Sequence, residues 1–454
     1  MGLSIVILAA GQGTRMRSDL PKVLQPLAGK PLLSHVLDCS KSLAPDDICI
    51  VYGHGAEAVQ AAYASETLRW APQPEQLGTG HAMQQAIPGT PNGNRVLVLF
   101  GDVPLLMPGT LSVLLAETPT GDMAVLTVDM ADPTGYGRII RDRGNVSCIV
   151  EEKDAGVDEK AVKEINTGVL LCPADRLKVW LKDLSNDNAQ GEYYLTDVIA
   201  MAVNDKVTVH GIKASSPVEV MGINDKKQLA EAERALQARL VDELMKEGVG
   251  FADPARVDIR GSLKCGKDVF IDVNAVFEGD VELGDGVTIE SNNLIRDSHL
   301  GAGTVVHSNC HIESSSSGNN CEIGPFARMR PGAELANNVK VGNFVEIKKS
   351  TVNDGSKVNH LTYIGDTEIG KGVNVGAGTI TCNYDGVNKH KTKIGDRAFI
   401  GSGVELVAPV EIGRDATVGA GSTITKPAPD DQLTLERAKQ LSISGWKKPV
   451  KKGS

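Results

Sequence analysis

Short aliphatic runs recur through the first half of the chain, and each is followed within two positions by glycine or aspartate. Four of these runs are Ser4–Ala9, Ile48–Tyr52, Val96–Phe100 and Met123–Val128. Stretches with the wider apolar spacing of a helix lie between them. Strands that alternate with helices predict an α/β domain with a mostly parallel sheet covered on both faces. Such sheets bind ligands where their strands end, so we expect a ligand loop at Ala10–Gly11.

One long helix is predicted to follow this domain, over 225–247. Charged residues separate the leucines of its apolar stripe, and Gly248 follows at a position where helices commonly end. The leucines of the stripe are Leu229, Leu236, Leu240 and Leu244. We interpret this segment as a linker helix and not as a domain.

From about Phe251 onward, aliphatic residues recur every six positions. Three hexads close one triangular coil, in which an aliphatic residue points inward from each flat face. The inward positions form three series: Val257, Leu263, Val269, Ala275, Val281, Val287; then Ile323, Met329, Leu335, Val341, Ile347; then Ile394, Ile400, Leu406, Ile412, Val418, Ile424. Small residues suit the corners. The pattern predicts a parallel β-helix, whereas a β-sandwich would show period 2 and variable turn spacing.

Two polar segments interrupt the hexads. Because a β-helix accommodates insertions as outward loops, we expect a small excursion at Ser314–Asn320 and a longer loop at Thr381–Lys393. The longer segment ends in four basic residues: Lys389, His390, Lys391 and Lys393. It is either a solvated loop or a lid or phosphate contact, because long loops without secondary structure are often functional.

The loop after the first strand is suited to binding phosphate. The small residues between Leu8 and Gly13 let the backbone approach a phosphate, and N–H groups at the next helix start can hold it. The motif continues through Arg15 to Lys22 as G-x-G-T-R-x5-P-K, which is neither a Walker loop nor G-x-G-x-x-G. Two cations beside a glycine loop suit a triphosphate that loses pyrophosphate. The alternative is a pair of surface cations beside a tight turn.

Composition narrows the class of protein. The 454 residues are 41% hydrophobic and 23% charged, as in soluble proteins of two or three domains. The net charge of −10 and the aromatic content of 4% argue against nucleic acid as a partner. No apolar run reaches the ~18 residues of a membrane span, and Leu3–Ala10 lacks the flanks of a signal peptide. Eight cysteines without CxxC or zinc spacing predict reduced thiols in a cytoplasmic protein.

Further motifs narrow the interpretation to one family. They are Gln73 with Glu75–His81, Phe100–Pro104, Gly135–Arg138, Glu151, Asn166–Gly168 and Gly222–Asn224. With the phosphate loop they resemble the sugar-1-phosphate nucleotidyltransferases. With the hexads, essentially the whole chain resembles the bacterial bifunctional N-acetylglucosamine-1-phosphate uridylyltransferase / glucosamine-1-phosphate N-acetyltransferase family. The resemblance implies a Rossmann-like α/β domain over 1–226, a linker helix over 227–250, and a left-handed parallel β-helix with a C-terminal tail over 251–454.

The resemblance implies that the first domain transfers UMP from UTP to N-acetylglucosamine 1-phosphate. Arg15 and Lys22 would neutralise the triphosphate and the departing pyrophosphate. Asp102 and Asn224 would hold one Mg²⁺, which prefers oxygen ligands, and Asp102 ends a predicted strand. The residues that match uracil contacts are Gln73, Gly78 and Thr79, and those that match sugar contacts are Gly137, Glu151 and Asn166. The other substrate contacts implied are Leu8, Ala9, Ala10, Gly11, Phe100 and Gly101.

The β-helix carries a second group of candidates. Residues 18 apart should stack on one face, so Arg330 and Lys348 should form a two-cation pocket for a sugar phosphate. His360 lies two hexads beyond Lys348, so it should come from another face and meet that pocket across a subunit boundary or after a register slip. The resemblance implies that His360 is the base for attack of glucosamine 1-phosphate on acetyl-CoA. Glu346 could orient or pair with it.

The remaining acetyl-transfer contacts are also implied by the resemblance. Tyr363 and Asn374 match sugar contacts. The residues that match acetyl-CoA contacts are Ala377, Asn383, Tyr384, Ser402, Ala420 and Arg437. The family further implies a homotrimer with acetyl-transfer sites between subunits. The basic tail Trp446–Lys452 is expected to be solvated or to help bind the phosphates of CoA.

Two alternatives stay open at this point. One is another sugar nucleotidyltransferase, acting on glucose or mannose 1-phosphate, whose β-helix serves regulation or assembly. It gives no role to the cations and histidine of the β-helix. The other is a non-catalytic assembly subunit with the same two folds, which would not need the charged residues of the phosphate loop. Those residues are all present.

Overall fold

The computed structural model describes residues 2–53 and 55–451, so the tail residue Lys452 lies outside the described part. The chain divides into two compact units, 1–236 and 237–454. None of the helices in the described residues is long and apolar enough to cross a membrane. The eight cysteines, all within the described ranges, form no disulfide.

The first unit alternates strands and helices, as the aliphatic runs predict. Its strands are β1 (Leu3–Leu8), β2 (Pro26–Leu27), β3 (Lys30–Pro31), β4 (Asp47–Tyr52), β5 (Arg69–Pro72), β6 (Arg95–Phe100), β7 (Met123–Asp129), β8 (Arg138–Asp142), β9 (Asn145–Val150), β10 (Glu164–Pro173) and β11 (Val209–Lys213). Its helices are α1 (Leu32–Lys41), α2 (Ala56–Ala62), α3 (Thr79–Ala86), α4 (Pro108–Glu117), α5 (Val157–Lys160), α6 (Ala174–Trp180) and α7 (Asp197–Asn204).

The main sheet of this unit has the order β11-β7-β10-β6-β1-β4-β5, with the β8–β9 hairpin attached to β10. Consecutive residues of β1, Ile5 and Val6, are both fully buried, in apolar clusters on opposite faces of the sheet. The sheet is therefore covered on both sides, as predicted. It is mixed, since β10 runs antiparallel to both β6 and β7. A parallel return needs a crossover helix, and only the short α5 lies between β9 and β10.

The helix α8 (Lys226–Lys246) confirms the predicted long helix, and Gly248 follows it with a φ of +101°. The predicted leucine stripe is only partly buried, since Leu229 and Leu240 are half-exposed. The buried residues are Ala232, Leu236, Gln237, Val241 and Leu244. The difference arises because the first half of α8 belongs to one unit and the second half to the other. Gln237 is held by hydrogen bonds of 2.7 and 2.8 Å to the backbone of Ile259.

The second unit is built from short parallel strands. They are β12 (Gly250–Phe251), β13 (Val257–Cys265), β14 (Phe270–Ile271), β15 (Ala275–Leu283), β16 (Thr288–Ile289), β17 (Leu294–Leu300), β18 (Val305–Val306), β19 (His311–Glu313), β20 (Ser316–Ser317), β21 (Glu322–Ile323), β22 (Arg328–Met329), β23 (Ala333–Leu335), β24 (Lys340–Asn343), β25 (Glu346–Lys348), β26 (Ser350–Val352), β27 (Lys357–His360), β28 (Tyr363–Gly365), β29 (Thr367–Ile369), β30 (Asn374–Val375), β31 (Ile380–Cys382), β32 (Thr392–Ile394), β33 (Phe399–Ile400), β34 (Glu405–Val407), β35 (Val410–Ile412), β36 (Thr417–Val418), β37 (Thr423–Ile424) and β38 (Leu433–Thr434).

These strands form three faces of a parallel β-helix. The first face is the run β12-β14-β16-β18-β21-β24-β27-β30-β33-β36-β38. The second is β19-β22-β25-β28-β31-β34-β37 and the third is β20-β23-β26-β29-β32-β35, and both continue from β17. Every inward residue of the three predicted series is buried except Leu263, which is partly buried. The period of six thus predicts the core of the coil correctly.

One of the two predicted interruptions is wrong. Ser314–Asn320 is not an outward excursion, because it contains strand β20 within the third face. Ser317 is buried and pairs in register with Leu300 on one side and Leu335 on the other. Its hydroxyl accepts a hydrogen bond of 3.3 Å from the Gly301 backbone N–H. A small hydroxyl with a buried partner can therefore take an inward position where the pattern demanded an aliphatic residue.

The other interruption is a true insertion. Val352 pairs in register with Ile369, and Ile369 pairs in turn with Ile394. The first step spans 17 positions and the second 25, so the coil that contains residues 383–391 is longer than its neighbour. The extra residues leave the coil between β31 and β32, as the sequence predicts.

Candidate active sites

A cavity of about 250 Å³ lies at the carboxyl ends of β1 and β6. The predicted residues that line it are Leu8, Ala9, Ala10, Gly11, Lys22, Gln73, Gly78, Thr79, Phe100 and Asp102. The Gly101 N–H donates to the Leu8 carbonyl at 3.0 Å, which holds the two strand ends side by side. A Cβ on Gly101 would lie 3.2 Å from the Ala9 side chain, so the two strand ends approach closely at this point. The sheet thus brings the phosphate loop and the Asp102 turn together.

Lys22 is placed between two predicted metal ligands. Its ammonium Nζ lies 2.5 Å from Asp102 Oδ2 and 3.1 Å from Asn224 Oδ1. Both side chains of the ion pair are largely buried, at 12% and 18% exposed. The Ile223 N–H donates to the Asp102 carbonyl at 2.9 Å, which fixes Asn224 beside the turn. Two oxygens therefore converge on one point that attracts a cation.

The cavity lining near Thr79 includes residues that the sequence did not indicate. Gln73 donates to the Gly78 carbonyl at 3.1 Å, and α3 begins at Thr79. A Cβ on Gly78 would lie 2.6 Å from the Tyr193 carbonyl, so the 192–193 backbone packs directly on this glycine. Glu192 consequently lines the cavity. The only signal for this contact is the pair of glycines at the start of α3, which allows close backbone approach.

The predicted sugar contacts lie together. The Asn166 N–H donates to the Gly137 carbonyl at 2.8 Å, and a Cβ on Gly137 would lie 3.2 Å from Glu151 Oε2. Glu151 accepts a 3.0 Å hydrogen bond from the hydroxyl of Thr196, a residue that sequence analysis did not identify. Burial raises the pKa of Glu151, and the Thr196 hydrogen bond opposes that shift. A partly buried carboxyl and two backbone turns are suited to hydroxyl and amide groups.

Arg15 is not among the residues that line the cavity. It lies in a single 3-10 turn, Thr14–Met16, and its side chain is exposed. Met16 of the same turn is buried and anchors it to the unit. The contact of Arg15 with a triphosphate stays a prediction.

The coil unit holds His360 at the end of β27 on the first face. Its ring Nδ1 lies 2.7 Å from Oδ1 of Asn343, which pairs with it in register at the end of β24. The His360 side chain is exposed. Glu346 does not contact it within one chain, because Glu346 lies on the second face and pairs with Arg330 at 2.8 Å.

A row of small residues continues from His360 along the next coils. The Gly378 N–H donates to the His360 carbonyl, the Gly403 N–H to that of Ala377, and the Gly421 N–H to that of Ser402, at 3.3, 2.7 and 2.9 Å. Arg437 Nη1 donates to the Ala420 carbonyl at 3.2 Å. The predicted acetyl-CoA contacts Ala377, Ser402, Ala420 and Arg437 therefore form one continuous strip that begins at His360.

The predicted cation pocket lies on the second face. The Arg330 N–H donates to the Ile347 carbonyl at 2.8 Å, which places Arg330 one coil from Lys348. The neighbouring ammonium of Lys389 lowers the pKa of Lys348, with burial and Arg330 adding to the shift. Crowded cations repel one another, and a bound anion relieves that repulsion. Lys389 comes from the inserted loop, where the sequence showed a basic cluster without a specific role.

The other predicted contacts surround these groups. Tyr363 pairs in register with Glu346 on the second face, whereas Asn374 lies on the first face in β30. Asn383 donates to Asp366 Oδ2 at 2.5 Å, and the hydroxyl of Tyr384 donates to the Gly386 carbonyl at 2.5 Å. The inserted loop therefore has an ordered base.

Comparisons with known proteins cover both units. The family model of the MobA-like NTP transferase domain matches residues 5–147, and that of the bacterial transferase hexapeptide (six repeats) matches 391–426. The chain is 57% identical over 450 residues to the bifunctional protein GlmU of Azoarcus sp., covering 99% of this chain and 100% of that protein. It is 57% identical to the protein of the same name from Alkalilimnicola ehrlichii, with 98% and 96% covered. For that of Idiomarina loihiensis the identity is 54%, with 100% and 99% covered.

Identity above one half over whole chains, together with a nucleotidyltransferase cavity and a hexapeptide coil, excludes the two alternatives left open by the sequence. The chain belongs to the GlmU family and is a bifunctional enzyme, with a uridylyltransferase half and an acetyltransferase half.

Proposed function

We propose that the two candidate sites perform successive steps of UDP-N-acetylglucosamine synthesis. The coil, over 251–454, acetylates glucosamine 1-phosphate with acetyl-CoA, and the domain over 1–226 transfers UMP from UTP to the N-acetylglucosamine 1-phosphate formed. Residues 227–250 link them. The observation that carries the proposal is that one chain contains two sites. One is a cation-binding point at Asp102 and Asn224, and the other is a strip of small residues that begins at His360.

In the first unit, the sugar phosphate oxygen attacks the α-phosphorus of UTP, and the bond to the β-phosphate oxygen breaks to release pyrophosphate. Lys22 and Arg15 offset the negative charge of the triphosphate and the departing pyrophosphate. Gln73, Gly78 and Thr79 hold the uracil. Gly137, Glu151 and Asn166 hold the N-acetylglucosamine, and Glu151 accepts from a hydroxyl group.

The residues present fit one Mg²⁺. Asp102 and Asn224 direct two oxygens at one point, and the ammonium of Lys22 occupies that point in the structure, as a metal ion would. Mg²⁺ takes one or two protein oxygens and completes its shell with water and phosphate, so two ligands suffice. When bound, the ion would neutralise phosphate charge. Lys22 and the two oxygen ligands are thus the groups of this chain that would position a nucleoside triphosphate with its metal.

In the second unit, the amine of glucosamine 1-phosphate attacks the thioester carbonyl of acetyl-CoA. The carbon–sulfur bond breaks, CoA leaves as the thiol, and His360 takes the proton that the nitrogen loses. Arg330 and Lys348 hold the sugar phosphate, and Tyr363 and Asn374 hold the sugar. The residues that hold acetyl-CoA are Ala377, Asn383, Tyr384, Ser402, Ala420 and Arg437.

We further propose a homotrimer with acetyl-transfer sites between subunits. His360 lies on the first face of the coil, whereas Arg330 and Lys348 lie on the second. Beside His360, one corner of the coil exposes Phe326, Phe344 and Leu361, at 49%, 55% and 62% exposed. The two rings stack at 5.2 Å. An exposed apolar corner next to an incomplete site supports contact with a second copy of the chain.

Two assays test the proposal on the purified chain. Thiol release from acetyl-CoA should depend on glucosamine 1-phosphate, and pyrophosphate release from UTP should depend on N-acetylglucosamine 1-phosphate. Glucose 1-phosphate and mannose 1-phosphate serve as control substrates in the second assay. Absence of thiol release, or equal turnover of all sugar phosphates, would overturn it.

A further inference from the structure

The carboxamide of Asn343 is the side chain that meets His360. The two residues are 17 positions apart and pair in register, so each lies at the same place in successive coils. Asn343 Oδ1 lies 2.7 Å from the ring Nδ1. An amide oxygen only accepts hydrogen bonds, so in the neutral imidazole the contact favours the tautomer with the proton on Nδ1 and the lone pair on Nε2.

The backbone around this pair is extended over more residues than in the other strands of the first face. Strands of the first face are two residues long except β24 and β27, which extend to four and end at Asn343 and His360. A Cβ on Gly342 would lie 2.0 Å from the Asn359 carbonyl, so the two coils approach as closely as a glycine permits. The long strands and the close approach fix the distance between the two side chains.

The residues around His360 support Asn343 as the side chain that orients its ring. Glu346, the carboxylate nearest to Asn343 in sequence, is committed to Arg330 on the second face. On the other side of His360 the row continues with Ala377 and Ser402, whose small side chains leave the ring open to a ligand. A neutral amide fixes the tautomer without placing a negative charge beside the acetyl-transfer site.

We propose that Asn343 is a positioning residue for acetyl transfer, which fixes His360 as the Nδ1–H tautomer with Nε2 directed to the amine. The inference rests on the proposed role of His360. As the amine attacks the thioester, its proton passes to Nε2, and Nδ1–H keeps its hydrogen bond to Asn343. The imidazolium then gives that proton to the departing CoA sulfur, which leaves as the thiol, so no other reactant is needed.

Two substitutions separate positioning from simple structural support. Asn343→Ala removes the acceptor, and we expect kcat for acetyl transfer to fall by on the order of 10- to 100-fold, with little change in KM. Asn343→Asp keeps the acceptor and adds a negative charge that stabilises the imidazolium. We expect this variant to move the acidic limb of the kcat/KM profile to higher pH.

The controls use the same chain. Pyrophosphate release by the first unit and the elution volume of the oligomer report folding and assembly. Asn337→Ala is the matched control, since it removes another side-chain contact between coils, from Asn337 to Asp354 at 3.3 Å, and should leave acetyl transfer unchanged.

Each outcome decides the question. Loss of kcat in Asn343→Ala together with the pH shift in Asn343→Asp supports positioning. If Asn343→Ala does not fold, the pH profile of Asn343→Asp decides alone. Full activity of Asn343→Ala, or an unmoved profile in Asn343→Asp, overturns the inference while leaving His360 as base. Full activity of His360→Ala would instead overturn the proposed function.

Discussion

The carboxylate of Asp102 pairs with the ammonium of Lys22 in the structure, and we propose that it also binds Mg²⁺. Asp102→Asn removes the negative charge from both interactions. We expect pyrophosphate release to fall on the order of 10²-fold or more, and Mn²⁺ binding measured by electron paramagnetic resonance to weaken. Acetyl transfer should persist, because Asp102 belongs to the other unit. Near-normal pyrophosphate release would contradict the assignment.

Substitution of Glu151 by glutamine should weaken binding of the sugar phosphate without lowering the stability of the fold. Burial raises the pKa of Glu151, so the ionised carboxylate destabilises the folded state above that pKa, and the cost vanishes as the pH falls below the unfolded value. Glu151→Gln removes this cost, so Tm near neutral pH should not fall. KM for N-acetylglucosamine 1-phosphate should rise roughly 10-fold or more, because a charged hydrogen bond contributes about 1.5–3 kcal/mol.

The measurement compares the two substrates of the same unit. KM for UTP should stay constant in Glu151→Gln, and the difference in Tm from the unchanged protein should shrink toward acid pH. An equal rise in both KM values would show that Glu151 supports the whole cavity and does not contact the sugar specifically.

Residues that follow strand ends could be predicted because their position is set locally. Asp102 comes two residues after β6, and the phosphate loop follows β1. Thr196 could not be predicted, because it reaches Glu151 through a packing contact between distant segments. Asn343 was missed although it lies one coil before His360, because the six-residue period marks the inward aliphatic positions and not the polar residues at the corners. The sequence shows polar residues at both positions, but polar residues are equally common on solvated loops.

At the scale of elements, the hexads predicted the coil because burial repeats once per flat face. They failed at β20, where Ser317 takes an inward position without an aliphatic side chain. The six-residue period marks apolar side chains alone, so a buried hydroxyl that has a hydrogen-bond partner leaves no trace in it. The inserted loop was predictable because it changes the spacing itself.

Removal of the inserted loop tests its role. Deletion of the seven residues Asp385–Lys391 would place Ile369 and Ile394 18 positions apart, within the usual spacing of this coil. We therefore expect the thermal transition of the coil to change little. Acetyl transfer should fall on the order of 10²-fold, because Lys389 leaves the cation pocket.

Lys391→Ala provides the matched control for this deletion. Lys391 belongs to the same loop and pairs with Glu368 at 2.9 Å on an exposed surface, so its loss should leave acetyl transfer nearly unchanged. Full acetyl transfer by the deletion variant, with the coil intact by circular dichroism, would show that the loop is only solvated.

For the whole molecule, the two units divide the chemistry as the sequence predicted. The first unit could be predicted from motifs at strand ends and the second from its period. What the sequence left open was how His360 meets Arg330 and Lys348. Register places them on different faces of one coil, and no pattern within a single chain encodes a contact with a second copy.

Mixed oligomers test that contact directly. His360→Ala and Lys348→Ala should each lack acetyl transfer when purified alone. If the site is shared, an interface between a subunit with intact His360 and a neighbour with intact Lys348 is complete. Co-expression in equal amounts then makes roughly a quarter of the interfaces functional in a closed ring with random assembly. Simply mixing the purified variants without subunit exchange should recover nothing, and pyrophosphate release should stay full throughout. Co-expressed protein of unchanged oligomer size without acetyl transfer would place the whole site within one chain.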